Sequence, residues 1–149
     1  MTLRVVAVAV GLAVALCLRP AVAAEFGSVS APAAILFDAP SEAARKVAIA
    51  PRGMPVELLS LLDRWVKVRD LTGQVLWISR ADLARERTVI ATVTATVRAA
   101  PQDSAALVLR AERGVVFQLV EPEPVSGWVR VRHQDGASGF VRVREVWGL

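Results

Sequence analysis

The fold is decided by residues 128–144, which read WVRVRHQDGASGFVRVR. Valines alternate with arginines and aromatic residues on both sides of a central His-Gln-Asp-Gly. Such alternation is typical of a β-strand with one buried and one solvated face, and Asp-Gly is typical of a tight turn. The stretch therefore predicts a β-hairpin whose core face carries the valines Val129, Val131, Val141 and Val143.

The same hairpin pattern occurs earlier in the chain. Residues 65–69 read WVKVR, and they match WVRVR at 128–132. In both copies a glycine follows the tryptophan by eight residues, and an aromatic residue, Trp77 or Phe140, comes four residues after that glycine. The valines of the first copy, Val66 and Val68, are therefore expected in the core as well.

The match continues upstream of each tryptophan. An Ala-Pro pair at 39–40 recurs at 100–101, and an Arg-Gly pair at 52–53 recurs at 113–114, both at an offset of 61 residues. After the tryptophan the offset is 63, and the two extra residues fall in 121–127, where prolines and glycine indicate a surface loop. A fixed period over about 50 residues indicates a duplicated structural unit.

These patterns predict an all-β fold of two repeated units built from short strands and packed together without a flexible linker. The predicted domains are residues 25–87 and 88–149. The β-branched run 88–97 favours a strand. Residues 41–46 and 81–85 are each compatible with a short helical turn.

Residues 1–24 have the pattern of a secretory signal peptide. Arg4 supplies a positive start, residues 5–18 form an uncharged apolar run, and small residues at 21–24 suit a cleavage site. The run is shorter than the roughly 20 apolar residues that span a bilayer, so cleavage is favoured over a retained anchor. Cys17 follows Leu16 inside the run, which does not fit a lipid-attachment site. The chain is expected to be exported to the periplasm or cell envelope, with no membrane span in its mature form.

Charge and composition exclude several classes of protein. The 149 residues carry 18 Lys+Arg and 14 Asp+Glu, and the segment after residue 24 retains 16 basic and 14 acidic residues. A net charge of +2 does not favour a nucleic-acid partner. One cysteine and one histidine exclude a disulfide framework and a Cys/His metal site, so no metal and no cofactor is expected. The sequence leaves the oligomeric state open.

Catalytic patterns are weak, and no catalytic residue is predicted. Ser138, His133 and Asp135 could be written as a triad, but all three fall in one predicted hairpin tip, whereas a triad needs a rigid scaffold. Glu121 and Glu123 could form a carboxylate pair of the glycosidase type, but they alternate in a proline-bearing loop that favours solvent exposure. The sequence therefore predicts a protein that is not an enzyme.

The order of these motifs resembles the bacterial SH3 domain, a small five-stranded barrel of exported bacterial proteins. In the second repeat the resemblance rests on TVRAAP at 96–101, Gly114, WVRV at 128–131 and GASGFV at 136–141. In the first repeat it rests on LFDAP at 36–40, RGMPVE at 52–57, WVKV at 65–68 and GQVLWI at 73–78. The hairpin motif usual in this family is Gly-x-x-Gly-Trp-Val. Leu76 replaces its second glycine in the first repeat, and Phe140 replaces its tryptophan in the second. The resemblance covers nearly all of residues 33–149, and it implies that the two repeats are two tandem small SH3-like β-barrels, each of about five short strands.

The face opposite the valines is the candidate binding surface. The predicted ligand-binding residues are the aromatic and arginine side chains of this face, namely Trp128, Arg130, Arg132, Phe140, Arg142 and Arg144 in the second repeat and Trp65 and Trp77 in the first. Four arginines on one face attract an anionic partner, and aromatic side chains stack on rings or sugars. The alternative is that the tryptophans pack between the repeats and that the arginines form a solvated face.

The resemblance implies a non-catalytic binding module of the cell envelope. It also places Trp65 and Trp128, the first aromatic residue of each hairpin, near the position where SH3-type barrels carry the aromatic residues that contact a ligand. The expected partner is peptidoglycan or an envelope protein. The alternative is a structural or regulatory subunit that docks a protein partner through its barrel surface or through the groove between the repeats.

Overall fold

The computed structural model describes residues 24–149, so the predicted signal peptide lies outside the described residues except for Ala24. The described part is nearly all β, as predicted. Its 14 strands are β1 (Glu25–Val29), β2 (Ala33–Phe37), β3 (Lys46–Pro51), β4 (Pro55–Leu61), β5 (Trp65–Arg69), β6 (Val75–Ser79), β7 (Leu83–Ala84), β8 (Thr88–Ala91), β9 (Ala95–Arg98), β10 (Leu107–Ala111), β11 (Val116–Val125), β12 (Trp128–Arg132), β13 (Ser138–Arg142) and β14 (Val146–Trp147).

The strands form two antiparallel sheets of seven strands with the same topology. The first sheet has the order β3-β2-β6-β5-β4-β1-β7, and the second has the order β10-β9-β13-β12-β11-β8-β14. Adding seven to each strand number of the first sheet gives the strand order of the second sheet. The predicted all-β fold of two tandem small barrels is confirmed. Each sheet includes a two-residue strand, β7 or β14, that pairs with the first strand of its own barrel.

Both predicted tryptophan hairpins form. Trp65 pairs with Ser79 across β5 and β6, and Trp128 pairs with Arg142 across β12 and β13. In the first turn the Asp70 carboxylate accepts hydrogen bonds from the backbone N–H groups of Thr72 and Gln74. The core face of the hairpins is the predicted one, because five valines are buried, namely Val66, Val68, Val129, Val131 and Val141.

The end of the second hairpin differs from the prediction. Strand β13 ends at Arg142, and a 3₁₀ turn covers Val143–Glu145. Val143 is therefore only partly buried against the core, and Arg144 projects from the turn into solvent instead of continuing the strand. Sequence alternation persists through Arg144, but the chain must turn here so that β14 can pair with β8.

Three local expectations are also revised. The β-branched run 88–97 forms two strands, β8 and β9, with a bend between them. A 3₁₀ turn covers Arg80–Asp82, one residue earlier than the segment expected to turn. In the segment 41–46, residues 41–44 form a turn without a helix and β3 begins at Lys46. The Asp38 carboxylate orders this loop by accepting hydrogen bonds from the backbone and side chain of Arg45.

The two cores hold different side chains at equivalent positions. Val56 of the first barrel is matched by the larger Phe117 of the second, and both are fully buried. Leu76 of the first barrel is matched by the smaller Gly139, where a β-carbon would lie 2.5 Å from the Arg98 carbonyl oxygen. The two cores therefore fill their interiors with different combinations of large and small side chains.

The barrels contact each other through the ends of β1, β8 and β14. The Thr88 hydroxyl donates to the Gly53 carbonyl over 2.7 Å, and the ring of Phe26 meets that of Trp147 edge-to-face with centroids 5.1 Å apart. Gly148 fits this junction because a β-carbon there would lie 2.6 Å from the Thr88 carbonyl. The predicted packing of the barrels on each other is thus seen in direct contacts. Within residues 24–149, no helix is long and apolar enough to cross a membrane.

Thr88→Val is expected to lower the free energy of unfolding by about 1 kcal/mol, because it keeps the shape of the side chain but leaves the Gly53 carbonyl without its donor. Urea unfolding followed by tryptophan fluorescence measures the change. The matched control is Thr94→Val, which alters an exposed threonine. Equal unfolding midpoints for the two variants would mean that this hydrogen bond does not stabilise the junction.

Candidate functional site

A groove of about 270 Å³ lies on the outer side of the first barrel. It runs between the loop after β2, the end of the β4–β5 hairpin and the 3₁₀ turn after β6. Its lining combines apolar, aromatic and charged side chains, namely Ala33, Ile35, Phe37, Glu42, Arg64, Trp65, Ser79 and Asp82. Concave surfaces with an apolar floor and a few polar groups are the usual form of ligand sites.

Two aromatic rings form the floor of the groove. Trp65 opens β5, and its ring meets that of Phe37 on β2 edge-to-face, with centroids 5.2 Å apart and an angle of 85°. Phe37 is buried, and this contact holds the Trp65 ring in place while part of it stays open. Ser79, the cross-strand partner of Trp65, is too short to cover the ring.

The rim of the groove is charged. Glu42 and Asp82 supply carboxylates on two sides, and Arg64 supplies a guanidinium next to Trp65. Within residues 24–149 none of these three side chains forms an ion pair. Their charges are therefore available to a ligand. An apolar or ring-shaped group can rest on the floor while a cationic group meets the carboxylates.

The equivalent position of the second barrel is closed by an arginine. Arg142 replaces Ser79, and its guanidinium lies 4.6 Å from the ring centroid of Trp128, the counterpart of Trp65. An ion pair with Asp103, the counterpart of Glu42, holds Arg142 in this position. Trp128 is consequently only 4% exposed. The two repeats thus share a scaffold but present one open groove and one that the chain itself fills.

Arg142→Ser is expected to uncover the Trp128 ring, because it removes the cation–π contact and copies the residue of the first barrel. A contact of this kind is worth about 1 kcal/mol, so the indole N–H of Trp128 should exchange with solvent about fivefold faster. Exchange measured by nuclear magnetic resonance reports this site alone. Arg144→Ser, at the next exposed arginine, is the control, and an unchanged Trp128 rate in Arg142→Ser would contradict the closure.

The outer faces of the two barrels also differ in chemistry. On the first barrel the face is mainly apolar, with Ile35 and Ile49 paired across β2 and β3 and with the Lys67 ammonium 5.7 Å from the ring centroid of Trp77. The second barrel carries four arginines, Arg98, Arg110, Arg130 and Arg142, whose counterparts in the first barrel are Phe37, Ile49, Lys67 and Ser79. The second barrel therefore has the more cationic of the two equivalent faces.

The predicted ligand residues of the second barrel are partly engaged within the protein. The Arg130 guanidinium pairs with Glu121 over 2.9 Å, and Arg132 Nε lies 3.4 Å from the Ser138 hydroxyl. Phe140 is half-buried and pairs across the strands with Arg130. The structure places Trp65 in a groove, Trp77 beside it on β6, and Trp128 beneath Arg142. Ligand binding by all these residues stays a prediction.

The residues considered for catalysis do not form a nucleophile–base pair. The Ser138 hydroxyl lies near Arg132 and the Gly136 carbonyl instead of His133. His133 Nδ1 lies 3.0 Å from the Asp135 carboxylate without hydrogen-bond geometry. The Ala137 N–H, and secondarily His133, hold the pKa of Asp135 below its ordinary 3.8.

The carboxylates of the extended β11 are also accounted for. Glu121 and Glu123 are exposed, and Glu121 is paired with Arg130. Among residues 24–149, no cluster of three or more His, Cys, Asp or Glu side chains could hold a metal ion.

Sequence reasoning did not single out the groove rim. Glu42, Arg64, Ser79 and Asp82 are distant in the chain and carry no motif. Comparison of the repeats could have pointed to this site, because Ser79 and Arg142 are equivalent positions with side chains of different size and charge. The structure shows the effect of this difference, since Glu42 lines the open groove with Ser79 and Asp103 forms an ion pair with Arg142.

Comparison with known proteins identifies the repeated unit. A family model described as Bacterial SH3 domain matches residues 30–84 and again 91–148. No curated protein matches the chain. Among solved structures, NlpC2 from Trichomonas vaginalis is similar with a TM-score of 0.40 and 13% identity, covering 85% of this chain and 48% of that one. NlpC1 from the same organism has a TM-score of 0.40 and 15% identity, covering 93% and 51%. The chain thus spans about half the length of these structures.

Proposed function

The chain belongs to the bacterial SH3 domain family, and on that premise we propose that it is a non-catalytic binding module of the cell envelope that binds peptidoglycan through the groove of its first barrel. The observation that carries the proposal is the uncovered ring of Trp65, held edge-to-face by Phe37 in a groove whose counterpart in the second barrel is filled by Arg142.

The chemistry of the groove suits wall material. Peptidoglycan offers sugar rings and short peptides that carry amino and carboxylate groups. An aromatic ring stacks on a sugar or an aliphatic side chain, and Glu42 and Asp82 would accept hydrogen bonds from an ammonium group. Arg64 would meet a carboxylate at the other end of the same groove. A ligand with both charges would therefore be oriented as well as bound.

The second barrel would supply long-range attraction. Arg130 and Arg132 point to solvent on its outer face, and only Arg130 has a carboxylate partner there within the described chain. Exposed cations raise the rate of encounter with an anionic polymer and lose this effect as salt is added. We thus assign affinity to the first barrel and attraction to the second.

The proposal includes export and the absence of catalysis. The apolar run 5–18 supports export to the periplasm or envelope, with domains at 25–87 and 88–149. The separation of Ser138 from His133 supports a binding role, because no general base is aimed at that hydroxyl.

Co-sedimentation with isolated sacculi tests the function. The protein is expected to pellet with sacculi at low salt and to be released progressively as salt is added. Arg130→Glu with Arg132→Glu should weaken pelleting while leaving the fold intact, since both side chains are exposed. Wild-type protein that stays in the supernatant at low salt would overturn wall binding.

A protein partner is the second candidate, favoured by one observation. Strand β3 is an edge of the first sheet, and its Ile49 is 71% exposed. Exposed apolar edge strands are uncommon and pair readily with a strand from another chain. Ile49→Lys should abolish capture of a specific envelope protein without reducing binding to sacculi, and the reverse result would favour the wall.

A further inference from the structure

A second and larger cavity, of about 690 Å³, opens at one end of the first barrel. It is bounded by β1, by the end of β4 and by β7, and it shares no lining residue with the groove. Its floor is apolar and consists of Phe26, Leu58, Leu61, Val66 and Leu83. The cavity is therefore a cleft with an apolar floor, and the core residue Val66 beneath it is 1% exposed.

One sequence difference between the barrels lies at this cavity. Gly27 lies on β1 opposite Val56, where the second barrel has Val89 on β8 opposite Phe117. Val89 is fully buried, whereas Gly27 contributes no side chain. A β-carbon at Gly27 would lie 3.4 Å from the Leu58 side chain and from the Ala84 carbonyl, so these two residues cover the position that Val89 occupies in the second barrel.

Three arginines surround the mouth of the cavity. Arg80 and Arg85 are exposed, and Arg87 is held at the rim by a bond from its guanidinium to the Gly148 carbonyl and by the ring of Phe26. Within residues 24–149 none of the three forms an ion pair, and Glu25 is the one acidic residue among the lining residues. The mouth thus combines positive charge with an apolar interior.

We propose that this cavity binds an anionic phospholipid at a membrane surface, with the acyl chain on the apolar floor and the phosphate at Arg80, Arg85 and Arg87. Guanidinium groups hold phosphate oxygens through paired hydrogen bonds, and arginines near anionic lipids add to membrane affinity. This site goes beyond the proposed function and does not depend on it.

Exposed leucines beside the cavity suit a membrane surface. Leu61 and Leu62 at the neighbouring hairpin are 55% and 45% exposed. Leu61 lines the cavity together with the three arginines, so apolar and cationic side chains adjoin at one surface.

The test compares two lipids with one protein. The full chain is purified in a nonionic detergent, and the micelles are doped with dioctanoyl phosphatidylglycerol or with phosphatidylcholine of the same chain length. The side-chain Nε–H resonances of Arg80, Arg85 and Arg87 report occupancy by nuclear magnetic resonance. Phosphatidylglycerol is expected to shift them saturably, and phosphatidylcholine at the same concentration is not.

Variants of the mouth and the cavity test the two halves of the site separately. Arg80→Gln with Arg85→Gln should weaken phosphatidylglycerol binding about thirtyfold, since each arginine near an anionic lipid contributes about fivefold. Leu61→Glu should weaken phosphatidylglycerol binding at least as much while all three arginines remain, because it puts a carboxylate into the apolar lining at a side chain that is 55% exposed. The control, Arg52→Gln with Arg113→Gln, removes the same charge from two exposed turns and should bind as wild type.

The apolar run 5–18 is present in every variant, so a difference between variants reports the cavity. Equal shifts with both lipids, or equal binding by the mouth variant and its control, would overturn the proposal. Displacement of phosphatidylglycerol by inorganic phosphate at the same concentration would show that the site binds any phosphate and does not recognise the acyl chain. That result would also overturn the proposal. Each of these outcomes is independent of sacculus binding, which concerns the groove of the first barrel.

Discussion

Gly139→Ala is expected to destabilise the second barrel by about 3 kcal/mol, at the upper end of the range for overpacked cores. A β-carbon at Gly139 would lie 2.5 Å from the Arg98 carbonyl oxygen and 2.7 Å from a methyl group of Val97. Both atoms belong to β9, the strand that packs against β13, and a backbone oxygen cannot rotate away. The only relief is to separate the two strands, which weakens the sheet.

Urea unfolding followed by far-ultraviolet circular dichroism measures this effect. Ser138→Ala, one residue away, is the matched control and should change the free energy of unfolding by less than about 0.5 kcal/mol, as partly exposed surface positions usually do. A midpoint for Gly139→Ala equal to that of the control would show that β9 and β13 separate without cost, and the account of this contact would be wrong.

Ser79→Arg is expected to abolish binding to sacculi by closing the groove of the first barrel. The substitution copies the second barrel, where Arg142 covers Trp128 and pairs with Asp103. In the first barrel the new arginine would reach Glu42 and lie over Trp65, since these residues line the same groove as Ser79. Loss of the aromatic floor and of one carboxylate should weaken binding at least about tenfold, given 1–2 kcal/mol for such contacts.

Gln74→Arg is the control for this prediction because it adds the same side chain and the same charge at the far end of the hairpin. Gln74 directly precedes β6 and lies five residues before Ser79, a separation of roughly 17 Å. Co-sedimentation of both variants with sacculi gives the answer. Undiminished pelleting of Ser79→Arg would place the wall site elsewhere, and equal loss in both variants would show that the loss does not come from closing the groove.

The fold of this protein follows closely from local sequence patterns. Alternation around Trp65 and Trp128 predicted two hairpins, and the registers of β5–β6 and β12–β13 agree. The equal spacing of the repeats predicted two copies of one barrel, and the sheets have the same strand order. Periodicity was sufficient because burial of one strand face is repeated at every second residue.

The candidate site was much less accessible to sequence reasoning. Alternation placed Trp65 and Trp128 on equivalent outer faces, yet one ring lines an open groove and the other is buried beneath Arg142. The outcome depends on Asp103, which is 39 positions before Arg142 in the chain and adjoins it through the fold. No periodic pattern carries that information.

The sequence by itself determined the duplication, the all-β class, the hairpins and the valines that line the two cores. Only the tertiary structure decided which arginines form ion pairs, which tryptophan is covered and where the cavity with its three arginines lies. The physical reason is the range of the interactions involved. Strand alternation is a property of neighbouring residues, whereas the ion pair of Arg142 and the cavity at Gly27 arise where strands distant in sequence meet.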